Sequence, residues 1–113
     1  MVEEARPMPD VVIRSIKCYE TTSGMGADDV IVWFKGEQIF RSEMKGGRQR
    51  TIEEMRHFEG TETIWVVEKD KGADNDDIIG RIIVSGNGCG EQIAAMYGDG
   101  SHYDLFYAVG GAP

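Results

Sequence analysis

Eight short runs of β-branched and aromatic residues, separated by glycine-rich or polar turns, limit what this chain can fold into. They span Val11–Tyr19, Val30–Phe34, Gln38–Arg41, Gln49–Glu53, Thr63–Val67, Ile78–Val84, Glu91–Tyr97 and His102–Val109. Alternation is clearest in the last, where Tyr103, Leu105, Tyr107 and Val109 share one face. A two-residue period marks a half-buried strand. In the first run Val12, Ile16 and Cys18 share a face while Arg14 breaks the pattern. One stretch is ambiguous. Ile52, Met55 and Phe58 have helical spacing, and Glu53–Glu54 would suit a first helical turn. A strand is preferred there because strands surround it. Most of the fifteen glycines fall at the joints, where tight turns need them. With no βαβ alternation and no internal repeat, the pattern predicts an all-β antiparallel sandwich or barrel.

At 113 residues the chain is long enough for one domain with a true core. Residues 1–10 hold Pro7 and Pro9 and few apolar side chains, and read as a flexible N-terminal leader. Residues 11–110 form the domain. The formal net charge of −8 argues against nucleic acid, whose phosphates need a basic surface. It argues equally against unaided attraction to anionic membranes. No apolar run approaches the roughly 20 residues of a spanning helix. Met1–Asp10 has no apolar core of a signal peptide, so a soluble chain is expected. Cys18 and Cys89 allow either one disulfide or two separate thiols. Trp33 and Trp65 stand in mid-strand and suit a core or a half-buried sheet face; exposed together, they would make a sugar-stacking platform.

Charge concentrates between the fifth and sixth runs. Glu68, Asp70, Asp74, Asp76 and Asp77 put five carboxylates within ten residues. Crowding like charges into one turn is costly unless a cation joins them or water solvates them apart. A hard cation that takes six to eight oxygen ligands, above all calcium, fits this chemistry. A second acidic loop, Glu20–Asp29, follows the first strand and offers Glu20, Asp28 and Asp29. Successive turns of an up-and-down chain alternate between the two ends of a sandwich. Counting strands, the loops after strands one, five and seven share an end. That groups Asp28, Glu68, Asp70 and Asp77, with Glu20 or Asp99 beside them. The turn Gly86–Gly90 belongs at the other end.

Other metal chemistry fits less well. Counting an EF-hand from Asp70 puts Asn75 and Arg81 where Gly and Glu are required. His57 and His102 lack the spacing of a zinc site. No nucleophile elbow or dinucleotide fingerprint is present. The chain is therefore read as a non-enzyme.

The run Glu68-x-Asp70, a short polar insert, then Asp77-Ile78-Ile79-Gly80 resembles the third calcium-binding loop of C2 domains. Gly24 to Asp28 is similar to the later part of the first loop of that family, although Asp29 stands where proline is common. The resemblance covers roughly Val11 to Val84 and implies an eight-stranded antiparallel β-sandwich, C2-like. It implies Ca2+ as the cofactor and Asp28, Glu68, Asp70, Asp77 and Glu20 as metal ligands. Glu68 replaces an aspartate of the family pattern and lengthens that ligand by one methylene. The basic patch and apolar loop tips of lipid-binding members are not evident. Arg41, Lys45, Arg48, Arg50 and Arg56 make only a loose basic group. The expected function is a calcium-binding module whose acidic end loops present a surface to a protein partner or lipid headgroup. The alternative is a metal-free acidic interaction protein, an inhibitor or adhesion module, that meets a basic partner.

Overall fold

The computed structural model describes residues 9–22, 26–69 and 76–110. Its strands are β1 Asp10–Glu20, β2 Asp28–Phe34, β3 Glu37–Met44, β4 Gln49–His57, β5 Thr61–Glu68, β6 Asp77–Ser85, β7 Gly90–Met96 and β8 His102–Gly110. A single 3-10 turn, Gly98–Gly100, joins β7 to β8. The strands form two four-stranded sheets, β4-β1-β8-β7 and β3-β2-β5-β6, antiparallel throughout. Two separate sheets settle the choice between barrel and sandwich in favour of the sandwich.

The core lies between the sheets. Val30, Val32 and Phe34 on β2 face Ile16, Tyr103 and Leu105 from the opposite sheet, each nearly or fully buried. Their alternation follows from the two-residue period of a strand. Trp33 and Trp65 have the opposite parity. They are direct cross-strand partners, half-buried on the outer face, and the Arg81 guanidinium lies over the Trp65 ring at 5.9 Å. Both cysteines are free thiols, Cys18 in the core and Cys89 exposed in the β6–β7 turn.

Two irregularities explain where the pattern was hard to read. Register shifts between Ile13 and Ser15 on β1, where a bulge absorbs Arg14. That turns Arg14 outward to donate to Glu91 at 2.6 Å and Glu53 at 3.3 Å. On the facing strand Glu53 adopts φ 48°, so β4 carries a kink that interrupts its own alternation. The ambiguous stretch is therefore a strand, as preferred, and it extends past Glu53 to His57.

Paired residues fix which loops share an end. Glu20 lies opposite His102, Asp28 opposite Met44, and Glu68 opposite Asp77. The loops after β1, β3, β5 and β7 thus gather at the Glu20 end. The turns after β2, β4 and β6 gather at the Asp10 end, as the parity count expects. At the Glu20 end the β3–β4 turn is bonded onto β1: Cys18 N–H donates to the Arg48 carbonyl at 2.8 Å, and Gly47 N–H to the Cys18 carbonyl at 2.7 Å.

Candidate metal centre

Glu68 is the last residue of β5 and Asp77 the first of β6, so the antiparallel ladder itself sets their carboxylates side by side. A bulge just below them, between Val66 and Val67, opposes Val67 to Ile78 and sends Ile79 inward to the core. Asp99 comes from the 3-10 turn. One carboxylate oxygen from each of Glu68, Asp77 and Asp99 lies within 4.8 Å of the other two.

Asp99 reaches this place for a steric reason. Gly98 packs onto the β6 backbone so tightly that a Cβ there would fall 2.2 Å from the Ile78 carbonyl oxygen and 2.5 Å from that of Ile79. Only glycine allows that approach. Asp99 then takes a left-handed conformation, φ 55° and ψ 39°, which Asp tolerates better than most residues. The Gly98 carbonyl accepts twice from Ser101, from its hydroxyl at 2.6 Å and its N–H at 3.1 Å.

The surrounding acids have partners. Arg41 grips Asp29 through two parallel bonds, Nε to Oδ1 at 3.0 Å and Nη2 to Oδ2 at 2.6 Å. The Asp29 hydrogen bond and charge hold the Arg41 guanidinium above its ordinary range. Lys69 Nζ lies 3.7 Å from Asp76.

Asp28 is 1% exposed. Its Oδ2 accepts from the Thr22 N–H at 2.9 Å and from the Tyr103 hydroxyl at 2.5 Å, and its Oδ1 accepts from the Thr22 hydroxyl at 2.8 Å. Burial, then the bonds to Asp28 and Cys18, pushes the Tyr103 phenol far above its ordinary range. Burial likewise raises the Cys18 thiol, against an opposing bond from Tyr103.

The expected ligands therefore divide. Glu68 and Asp77 come together as the sequence predicts. Asp99, raised there on turn parity alone, joins them. Asp28 and Glu20 lie at the same end of the sandwich but outside this group of three; Glu20 is an exposed residue at the end of β1. Asp70 lies outside the described residues, as do Asp74 and Gly24. No signal in the sequence marks Tyr103 as the partner of Asp28, since they are 75 residues apart.

No family model matches the chain, and no curated protein matches it. Solved structures do. One described as a C2 domain aligns with a TM-score of 0.55 at 15% identity, over 91% of this chain and 98% of that one. A structure of the two tandem C2 domains of Extended-Synaptotagmin 2 aligns with a TM-score of 0.52 at 11% identity, over 96% of this chain and 44% of that one. At such identities the likeness concerns the fold: the protein is a C2-like β-sandwich. No helix among the described residues is long and apolar enough to cross a membrane.

Proposed function

We propose that this C2-like sandwich is a calcium-binding module, without enzymatic activity, whose acidic end presents a surface to a partner. The observation that carries the reading is the convergence of Glu68, Asp77 and Asp99 from two strand ends and a turn. The geometry fits the ion. Calcium–oxygen distances of 2.3–2.6 Å allow two ligands of one ion to be at most about 5 Å apart. Three carboxylate oxygens within 4.8 Å of one another meet that limit. Bound calcium would supply positive charge and up to eight coordination positions. Glu68, Asp77 and Asp99 hold it on three sides. Asp70, two residues beyond Glu68, is proposed as a fourth ligand. Glu20 and Asp28 are the further candidates on the family resemblance, and Asp28 would first have to release Tyr103 or Thr22.

Calcium that binds only the folded state adds stability by mass action. At a calcium concentration a hundredfold above Kd the gain is about 2.7 kcal/mol. That corresponds to a rise in Tm on the order of 10 °C for a domain of this size. The test is thermal unfolding across a calcium titration, with magnesium as the control. The rise is expected with calcium and is expected to vanish in a Glu68→Gln, Asp77→Asn double variant. A flat response up to millimolar calcium overturns the reading and leaves the metal-free acidic module in its place. Co-sedimentation with phosphatidylserine vesicles, with and without calcium, then sorts a lipid partner from a protein one.

A further inference from the structure

The turn that carries Asp99 is flanked by three aromatic rings. Tyr97 precedes it and His102 follows it, and their rings stack with centroids 4.6 Å apart and planes 28° from parallel. The other face of His102 meets Tyr19 of β1, at 4.4 Å and 24°. Tyr19 is itself anchored, its hydroxyl donating to Asp104 at 3.1 Å while Lys17 Nζ lies 4.8 Å from its ring centroid. His102 Nε2 lies 3.8 Å from the same Asp104. The rings thus form a column that bridges the two ends of the turn and ties it to the central strand of its sheet. Tyr97 is 64% exposed, so its placement owes little to burial in the core.

We propose that the Tyr97–His102–Tyr19 stack is a clasp that positions the Asp99 carboxylate against Glu68 and Asp77. The need for a clasp is physical. Asp99 sits in a left-handed conformation that costs a non-glycine residue energy, within a three-residue turn, and faces two other carboxylates. Each of these drives the turn outward in the absence of a cation. Gly98 fits closely onto β6 but brings no side chain to hold the turn there. Stacked rings are worth more than their buried area alone, and here they close the turn at its base. The three aromatic residues touch no ligand; they act through Asp99. The consequence for affinity rests on the calcium reading. The positioning itself is measurable without calcium.

Two measurements test the clasp. First, calcium affinity by calorimetry is expected to fall about tenfold in His102→Ala, the lower end of the range for residues that orient a ligand. His102→Phe keeps a ring in the column and is expected to restore it. In an Asp99→Asn background, which keeps the left-handed residue, His102→Ala is expected to cost nothing further, because the pair acts as one unit. Unchanged affinity in His102→Ala, or an equal loss in both backgrounds, overturns the proposal. Second, in calcium-free protein the Ser101 amide, bonded to the Gly98 carbonyl, reports opening of the turn. Its hydrogen exchange is expected to speed up about tenfold in His102→Ala while the Val66 amide keeps its rate. If the native chain binds no calcium, the functional reading falls and this exchange measurement decides the clasp alone. Faster Ser101 exchange upholds it, and an unchanged rate overturns it.

Discussion

Gly98→Ala is expected to lower stability by about 3 kcal/mol, at the upper end of overpacking costs, and to remove the calcium response as well. The reason lies in what the new methyl group meets. Its nearest neighbours are the carbonyl oxygens of Ile78 and Ile79 at 2.2 and 2.5 Å and the Ile79 carbonyl carbon at 2.8 Å. These are backbone atoms of β6, which is held to β5 along its length, so they cannot rotate aside. Either the ladder bends or the 3-10 turn lifts off. Lifting the turn carries Asp99 away from Glu68 and Asp77. Gly80→Ala is the comparison. There the added Cβ meets the Met96 side chain, at 2.5 Å from Cγ and 2.7 Å from Sδ. A methionine can re-pack, so the cost is expected to be smaller, about 1–2 kcal/mol, with the calcium response retained. Thermal unfolding of both variants by circular dichroism checks the order. A Gly98→Ala protein as stable as the native chain would show that the turn does not depend on this contact.

Much of this fold could be read from residue periodicity, and the reason is visible in where reading failed. β8 alternates without interruption, and its buried Tyr103, Leu105 and Val109 match its pattern. β1 loses its pattern at Arg14 and β4 at Glu53, and these are the places where a bulge or a left-handed residue re-aims a side chain. A period of two cannot express an extra residue. The candidate site divides in the same way. Glu68 and Asp77 flank one hairpin loop, so sequence proximity nearly guarantees their meeting. Asp99 needed only the parity of turns to reach the correct end. Asp28 met that same parity test, yet the structure sets it in the core against Tyr103. How deep a residue sits at the end of a strand depends on the stagger between the two sheets. That stagger is a tertiary quantity with no local signature. The Tyr97–His102–Tyr19 column was equally hidden. Tyr97 fits the alternation of β7 and was read as its last residue, but it leaves the ladder to stack on His102.

Removing the Asp28 carboxylate is expected to destabilise the calcium-free protein by about 4 kcal/mol, and the sign of that change is the informative part. Were Asp28 only one more acid at a crowded end, Asp28→Ala would relieve repulsion and stabilise the calcium-free form. Instead its two oxygens accept three hydrogen bonds while 1% exposed. Truncation leaves the Tyr103 hydroxyl, itself fully buried, and the Thr22 donors without their acceptor. Tyr103→Phe removes one of the three bonds and is expected to cost about 2 kcal/mol. Alkaline titration separates the two partners. The folded state holds the Tyr103 phenol protonated far above its ordinary range, first through burial and then through Asp28. Below a pH of about 10 both folded and unfolded chains keep that proton, so the contribution of Tyr103 is complete. Above it the unfolded chain releases the proton and the folded chain does not. Stability from this group then falls by about 1.4 kcal/mol per pH unit. The phenylalanine variant lacks this loss, so its deficit relative to the native chain is expected to close as pH rises above 10. Denaturant unfolding of native and Tyr103→Phe protein, at neutral pH and at a pH near 11, measures the deficit. A deficit that is constant across that window would mean that the phenol ionises as readily in the fold as in the unfolded chain. The Asp28–Tyr103 bond would then contribute nothing to holding β2 against β8.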